Sequence, residues 1–281
     1  MNKLSNYTFG AMPSPHDYRD YPVTSLIPTQ SFPEEFTPKV LTKVKNQGSV
    51  GACVAYSIST IKEYQELRER GFKQEFSANF AYGNRADDHW QGEGMYPREA
   101  LKMLQKYGIC EEELMPGIWN YPHQKRLYNE SIYKNALPQK IGSYALVNTF
   151  AEAKNAIFNN GPILIVIPIF RSFLAYRDGI LPLPSPNEEI MGYHAIVAPA
   201  YYANGYVIQN SWHRSWGKEG FCHMPANYPI SEKWALTDHA PAKGLKVFIP
   251  ERDWFGWNEL PPHLKQMVRD LVNVKQKEQI E

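Results

Sequence analysis

The period of the apolar residues changes at Gly161, and that change limits the architecture of this chain more than any other feature. Before it, Val54, Ile58, Ile61 and Leu67 fall on one face of residues 53–70, and Gly71 is placed to stop the helix. A second helix is predicted from Pro97 to Tyr107, closed by Gly108, and a shorter one from Ala151 to Asn159. After Gly161 come ILIVI (163–167), YHAIV (193–197) and YVIQN (206–210), β-rich runs bounded by proline, glycine and asparagine. Helices first and strands later predict an α+β protein with segregated lobes, and a cleft between lobes is where ligands usually bind.

Composition narrows the function classes. With 30 basic and 29 acidic residues, the net charge of +1 leaves no footprint for nucleic acid or an anionic membrane surface. The longest apolar run, Pro162 to Phe170, is strand-sized and too short to span a bilayer. The opening MNKLSNYTFGAMPSP lacks the apolar core of a signal peptide. Three cysteines are odd in number and predict no disulfide framework, as in a reducing compartment. These features predict a cytoplasmic protein without a membrane span. Asp87, Asp88 and His89 match no ligand spacing, so neither metal nor cofactor is expected.

The 281 residues divide into three parts. Residues 1–31 carry Pro13, Pro15, Pro22 and Pro28 and should be extended, with no core of their own. Residues 32–250 form the main body. Residues 251–281 hold a Trp254, Phe255, Trp257 cluster and a helix from about Pro262.

The chemistry lies in three places. Cys53 sits where the glycine-rich stretch QGSVGAC meets the first helix, and the helix dipole and unpaired first-turn N–H groups favour a thiolate there. His194 lies in a later strand and Asn210 at the end of the next. A thiol needs a base, and an imidazole needs a partner to fix its tautomer, so the three predict a Cys–His–Asn arrangement with a thiolate–imidazolium pair. A tight turn at Asn204-Gly205 would set Asn210 opposite Pro199, about 16 Å from His194 at 3.3 Å per residue. Pro199 disfavours a regular ladder, so a wide loop pairing 194 directly with 210 is expected.

These segments resemble the papain family. QGSVGAC followed by VAYS resembles its active-site signature, GYHAIVA its histidine strand, and NSWHRSWGKEGF its asparagine–tryptophan motif. The resemblance runs from roughly Phe32 to Pro225. It implies a helical N-terminal lobe, an antiparallel β-barrel-like C-terminal lobe and an active site in the cleft between them. It also implies a cysteine endopeptidase acting on peptides or proteins through an acyl-enzyme. Gln47 then supplies an oxyanion donor beside the Cys53 N–H, and Trp212 covers the His194–Asn210 bond. GEGMYPREAL resembles the loop that pairs with substrate backbone, implicating Gly94. Pro97, Ile163 and Gly192, with Tyr193 beside it, fall where an apolar substrate pocket would be walled.

The sequence also departs from the family. Val50 stands where secreted members carry a cysteine, Val54 replaces a tryptophan, and Ala52 replaces a serine. GAMPSPHDYRDYP resembles the opening of a bacterial and phage-type branch that lacks the large propeptide. The proline-rich residues 1–31, tethered next to the cleft, are expected to restrict it and keep the chain latent. A transpeptidase or amidase on the same site, and a silent peptide-binding relative, are the alternative readings.

Overall fold

Helix α1 (Cys53–Arg70) is the element around which the others pack. It ends where expected: Gly71 takes the left-handed conformation (φ 74°) and its N–H bonds the carbonyl of Leu67. The sequence predicts one apolar face, but residues 53–66 are buried all round. Full burial includes Lys62, Glu63 and Glu66, so each needs a partner. Lys62 reaches Asp238 at 2.8 Å and Glu66 at 3.7 Å, and Glu63 meets Lys45 at 2.6 Å and the N–H of Phe76 at 2.9 Å.

The computed structural model describes residues 8–71, 73–85, 93–117 and 129–238. The chain divides into two compact units, Met1–Lys246 and Val247–Glu281, and everything described belongs to the first. The Trp254–Trp257 cluster, the helix from Pro262 and the Asp87–His89 group lie outside the described residues. Among the described residues no helix is long and apolar enough to cross a membrane.

Beside α1 lie α2 (Ala78–Gly83), α3 (Pro97–Tyr107) and α4 (Glu130–Ala136). Proline at the first position of α3 has the fixed φ a helix start needs. Six strands form one antiparallel sheet in the order β1-β6-β2-β3-β4-β5: β1 (Ile141–Leu146), β2 (Ile163–Ile169), β3 (Gly192–Tyr202), β4 (Gly205–Gln209), β5 (Phe221–Pro225) and β6 (Glu232–Asp238). Helix α5 (Phe150–Asn159) starts one residue before the expected position, fixed by a capping box between Thr149 and Glu152. Helix α6 (Arg171–Ala175) follows β2.

Strand β2 is buried on both faces, which is why it reads as an unbroken apolar run. Alternation divides it: Leu164 and Val166 join the core around α1, while Ile163, Ile165, Ile167 and Ile169 join the core with α5 and α6. The β3–β4 hairpin differs from expectation. Tyr202 pairs with Gly205 across a tight turn, not a wide loop, and Pro199 is absorbed by a register shift between Val197 and Ala200. A bulge removes the ladder hydrogen bond that proline cannot make, so the turn stays short.

Residues 8–36 are irregular except for one 3-10 turn, Val23–Ser25. They have no core of their own but contribute to another: Val23 and Ile27 are buried against α5 and the sheet. Asp20 makes a two-pronged ion pair with Arg98 at 2.5 and 2.9 Å, and Asn155 holds Pro28 and Gln30.

The Lys45–Glu63 pair ties α1 to the loop carrying residues 45–48. Lys45→Ala leaves Glu63 buried without its cation, and loss of about 3–5 kcal/mol is expected. Urea unfolding at pH 7 reads this; a loss under about 1 kcal/mol, the level of a surface pair, contradicts it.

Candidate active site

Cys53 is the first residue of α1 and is fully buried. No side chain caps this end of the helix. The backbone N–H groups of Ala195 and Gly10 face the sulfur. His194 lies in β3 opposite Ile167 of β2. Its Nε2 is 2.8 Å from Asn210 Oδ1, which fixes the tautomer as an N–H at Nε2 with Asn210 accepting. Nδ1 is buried and, among the described residues, makes no hydrogen bond, to Cys53 or to any other group. The residue next to this histidine, Ala195, is the one whose backbone meets the Cys53 sulfur.

Asn210 follows β4 directly, leaves the ladder, and donates its N–H to the carbonyl of Gly220 at 2.9 Å. The His194–Asn210 contact is therefore made beyond the end of the strand rather than by a cross-strand pair. Trp212 stacks on the imidazole, with ring centres 4.3 Å apart and planes 26° from parallel. Gln47 is buried across the site. Its Nε2 donates to the carbonyls of Val50 (2.9 Å) and Thr8 (3.0 Å), and its Oε1 accepts from Ser211 Oγ at 2.7 Å. Ser211 also donates its N–H to Asn210 Oδ1 at 2.8 Å. One serine thus joins the glutamine to the asparagine, and sequence reasoning missed it although it follows Asn210 directly.

Residues 8–12 run through the cleft. The carbonyl of Gly10 accepts from the N–H of Met95 (2.8 Å), Ala11 donates to the carbonyl of Tyr193 (3.2 Å), and Met12 donates to the carbonyl of Met95 (3.1 Å). Gly10 packs so closely that a Cβ on it would lie 1.8 Å from the carbonyl oxygen of Gly51. Phe9 covers Gly192, where a Cβ would meet its ring at 2.9 Å, and lies 6.1 Å from the Trp212 ring.

The substrate-wall residues named from the sequence separate. Gly192 and Tyr193 face this segment, and Pro97 begins α3 two residues beyond Met95. Gly94 turns its N–H to the Tyr82 hydroxyl and its carbonyl to Arg85, so the backbone groups offered to the cleft belong to its neighbour Met95. Ile163 is a correction. It pairs with Ala198, four residues along β2 from the partner of His194, and its side chain packs in the core with α5. Val166, on the other face, shares the core that holds Cys53, Ala195, Met95 and Ala11. Strand alternation makes the choice between them, and a register error of one residue inverts it.

Residues 32–237 match the family profile described as papain family cysteine protease. The chain is 30% identical to papain of Carica papaya over 187 residues, which cover 66% of this chain and 51% of papain. It is 26% identical to a peptidase C1-like protein of Acanthamoeba polyphaga mimivirus over 219 residues, 70% of this chain and 68% of that one. The match thus spans about half the length of papain and two thirds of the viral protein. Xylellain, a cysteine protease from Xylella fastidiosa, has the same fold: TM-score 0.71, 22% identity, 85% of this chain and 98% of that chain covered. The chain belongs to the papain family of cysteine proteases. Its two-lobe α+β fold is the papain-like one, and its class is that of a cysteine peptidase.

The covered site has an ionic consequence. Burial pushes the Cys53 thiol up to about 11, although nearby backbone N–H groups favour the thiolate. Burial also pulls His194 down to about 4, against the Asn210 hydrogen bond that favours the charged ring. Both shifts favour the neutral thiol and the neutral imidazole in this closed arrangement, away from the thiolate–imidazolium pair expected from the sequence. Alkylation of Cys53 by iodoacetamide in the full chain should therefore rise toward pH 11, with no acidic limb near pH 4. A reactive plateau between about pH 5 and 8 would show that the ion pair survives under cover.

Proposed function

We propose that the protein is a cysteine endopeptidase that cleaves peptide bonds through an acyl-enzyme on Cys53, and that residues 8–12 keep the full chain latent. The observation that carries this reading is the His194–Asn210 bond of 2.8 Å beneath Trp212, beside a buried cysteine at the start of α1. In the open site, His194 Nδ1 takes the thiol proton and Sγ attacks the substrate carbonyl carbon. The oxyanion forms against the Cys53 N–H and Gln47 Nε2, which is held in place by Ser211. His194 then gives its proton to the leaving amine, and the amine departs as the thioester forms. Water, deprotonated by the same imidazole, attacks the thioester and releases the acid and the thiol. Asn210 keeps Nε2 protonated throughout, leaving Nδ1 for proton transfer. Ala11, buried beside Met95, Val166 and Ala195, marks an apolar seat for the substrate residue next along the cleft.

Latency is supported by what residues 8–12 occupy. They use the backbone groups of Met95 and Tyr193, and they take the Gln47 amide through Thr8. They also set the N–H of Gly10 against the thiol.

Two outcomes test the two halves. Cys53→Ala should lower hydrolysis of a fluorogenic peptide by more than about a thousandfold while leaving the unfolding midpoint near wild type. Retained turnover would remove Cys53 as nucleophile. Gly10→Val places a side chain where Gly51 leaves no room, so the segment should leave the cleft and kcat/KM of the full chain rise about tenfold or more. Unchanged kcat/KM with intact labelling of Cys53 would count against latency.

A further inference from the structure

The segment before Phe32 is held to the body at two places and crosses an exposed turn between them. At the first place Met12 bonds Met95 in the cleft. Two residues on, Ser14 donates its N–H to Glu232 Oε1 at 2.9 Å, and its Oγ accepts the N–H of Arg98 at 3.1 Å. The second place begins at Asp20, whose carboxylate grips the Arg98 guanidinium. Tyr21 then gives its carbonyl to the N–H of Leu146 at 2.8 Å, which seats the chain on β1 at the edge of the sheet. Val23 and Ile27 follow it into the core with α5.

Between these anchors the bonds are local. The Asp17 carbonyl accepts the N–H of Asp20 at 3.0 Å, and its carboxylate accepts the N–H and guanidinium of Arg19 at 2.9 and 2.6 Å. Pro15, His16, Tyr18 and Arg19 are exposed, and Tyr18 at the tip is 89% so. A peptidase must draw several residues into its own cleft as an extended strand, so it cuts where backbone is exposed and carries no bonds to the body. Tyr18 and Tyr21 show the contrast three residues apart: the carbonyl of Tyr21 is committed to β1, while the turn holds Tyr18 out in water. The turn also divides two roles. Residues 8–12, which occupy the cleft, lie before it. Residues 20–27, after it, join α3 to β1 and α5, and so staple the helical lobe to the sheet lobe.

We infer that the turn Asp17–Asp20 is a processing site: an endopeptidase that accepts tyrosine before the scissile bond cuts between Tyr18 and Arg19, and the residues after the cut stay as a permanent part of the active enzyme. The inference rests on residues 8–12 keeping the chain latent. The cut consumes one water, whose oxygen ends in the new carboxylate of Tyr18 while Arg19 becomes a free amine. Before it, the inhibitory residues face the cleft at about millimolar effective concentration; after it, they dilute into solution. Only the staple remains, held by the Asp20–Arg98 pair and by Val23 and Ile27.

The test treats the full chain and its Tyr18→Asn variant briefly with chymotrypsin, which cuts after aromatic residues. Asparagine suits a turn and removes only the aromatic residue before the bond. The wild-type product should begin at Arg19 and stay uncut after Tyr21. After gel filtration its kcat/KM on a fluorogenic peptide and its rate of Cys53 labelling should both rise about tenfold or more. Treated Tyr18→Asn should show neither rise. A first N-terminal cut after Tyr21 or within residues 22–31 overturns the inference, and so does an equal rise in the variant. A cut after Tyr18 that leaves both rates unchanged, while Gly10→Val raises them, defeats this inference and leaves latency standing. If neither the cut nor Gly10→Val raises kcat/KM, and Cys53 labels freely in the untreated chain, latency fails and this inference with it.

Discussion

The structure depends on a helix that must be buried on every side. A surface helix can turn its charges to water, but α1 runs between the sheet and the shorter helices, so Lys62, Glu63 and Glu66 lie in the interior. Unpaired, each would carry a desolvation cost large enough to unfold a marginal domain. The partners therefore come from distant segments, Lys45 from the loop before the helix and Asp238 from the end of β6. These pairs fix α1 against both layers. Since Cys53 is its first residue, they also fix where the sulfur sits relative to the histidine strand.

The second lobe meets this constraint from β3. His194 and Ala195 are adjacent on that strand, so their side chains point to opposite faces while their backbones lie together. Asn210 approaches from beyond the end of β4, and Trp212 closes over the ring. The imidazole is consequently dry and oriented before any substrate arrives. Ser211 links this half to Gln47 on the loop before α1, so His194, Asn210 and Gln47 share one hydrogen-bonded path across the cleft. The same dryness raises the thiol and lowers the imidazole, favouring the neutral form of both while residues 8–12 lie over them.

Much of this could be read from the residues. The limits of α1 and α3 follow from Gly71, Pro97 and Gly108, which act on their own few residues. The sequence places His194 within a strand and Asn210 at the end of the next, and the structure has His194 in β3 and Asn210 directly after β4. Pro199 points to a wide β3–β4 connection, yet the hairpin is tight, with Tyr202 paired to Gly205. A bulge lets the strand keep its direction while skipping one hydrogen bond. Ile163 lies on the face away from the cleft, and the sequence does not mark this because the two faces of β2 are equally apolar: with Leu164 and Val166 on one side and isoleucines on the other, no polar residue distinguishes them.

The sequence by itself determined the local elements, the order of cysteine, histidine and asparagine, and the family they point to. Each of these depends on neighbours within about one helical turn or one strand. The tertiary structure alone decided that α1 is buried all round, that Ser211 bridges Gln47 and Asn210, and that Met95 rather than Gly94 offers its backbone to the cleft. It also decided that Thr8 to Met12 run along the cleft, and that Glu93 accepts the N–H of Gly51. The physical reason is the same in each case. These contacts join residues tens to hundreds of positions apart, and their partners are chosen by how the two lobes close on α1, which leaves no periodic trace in either segment.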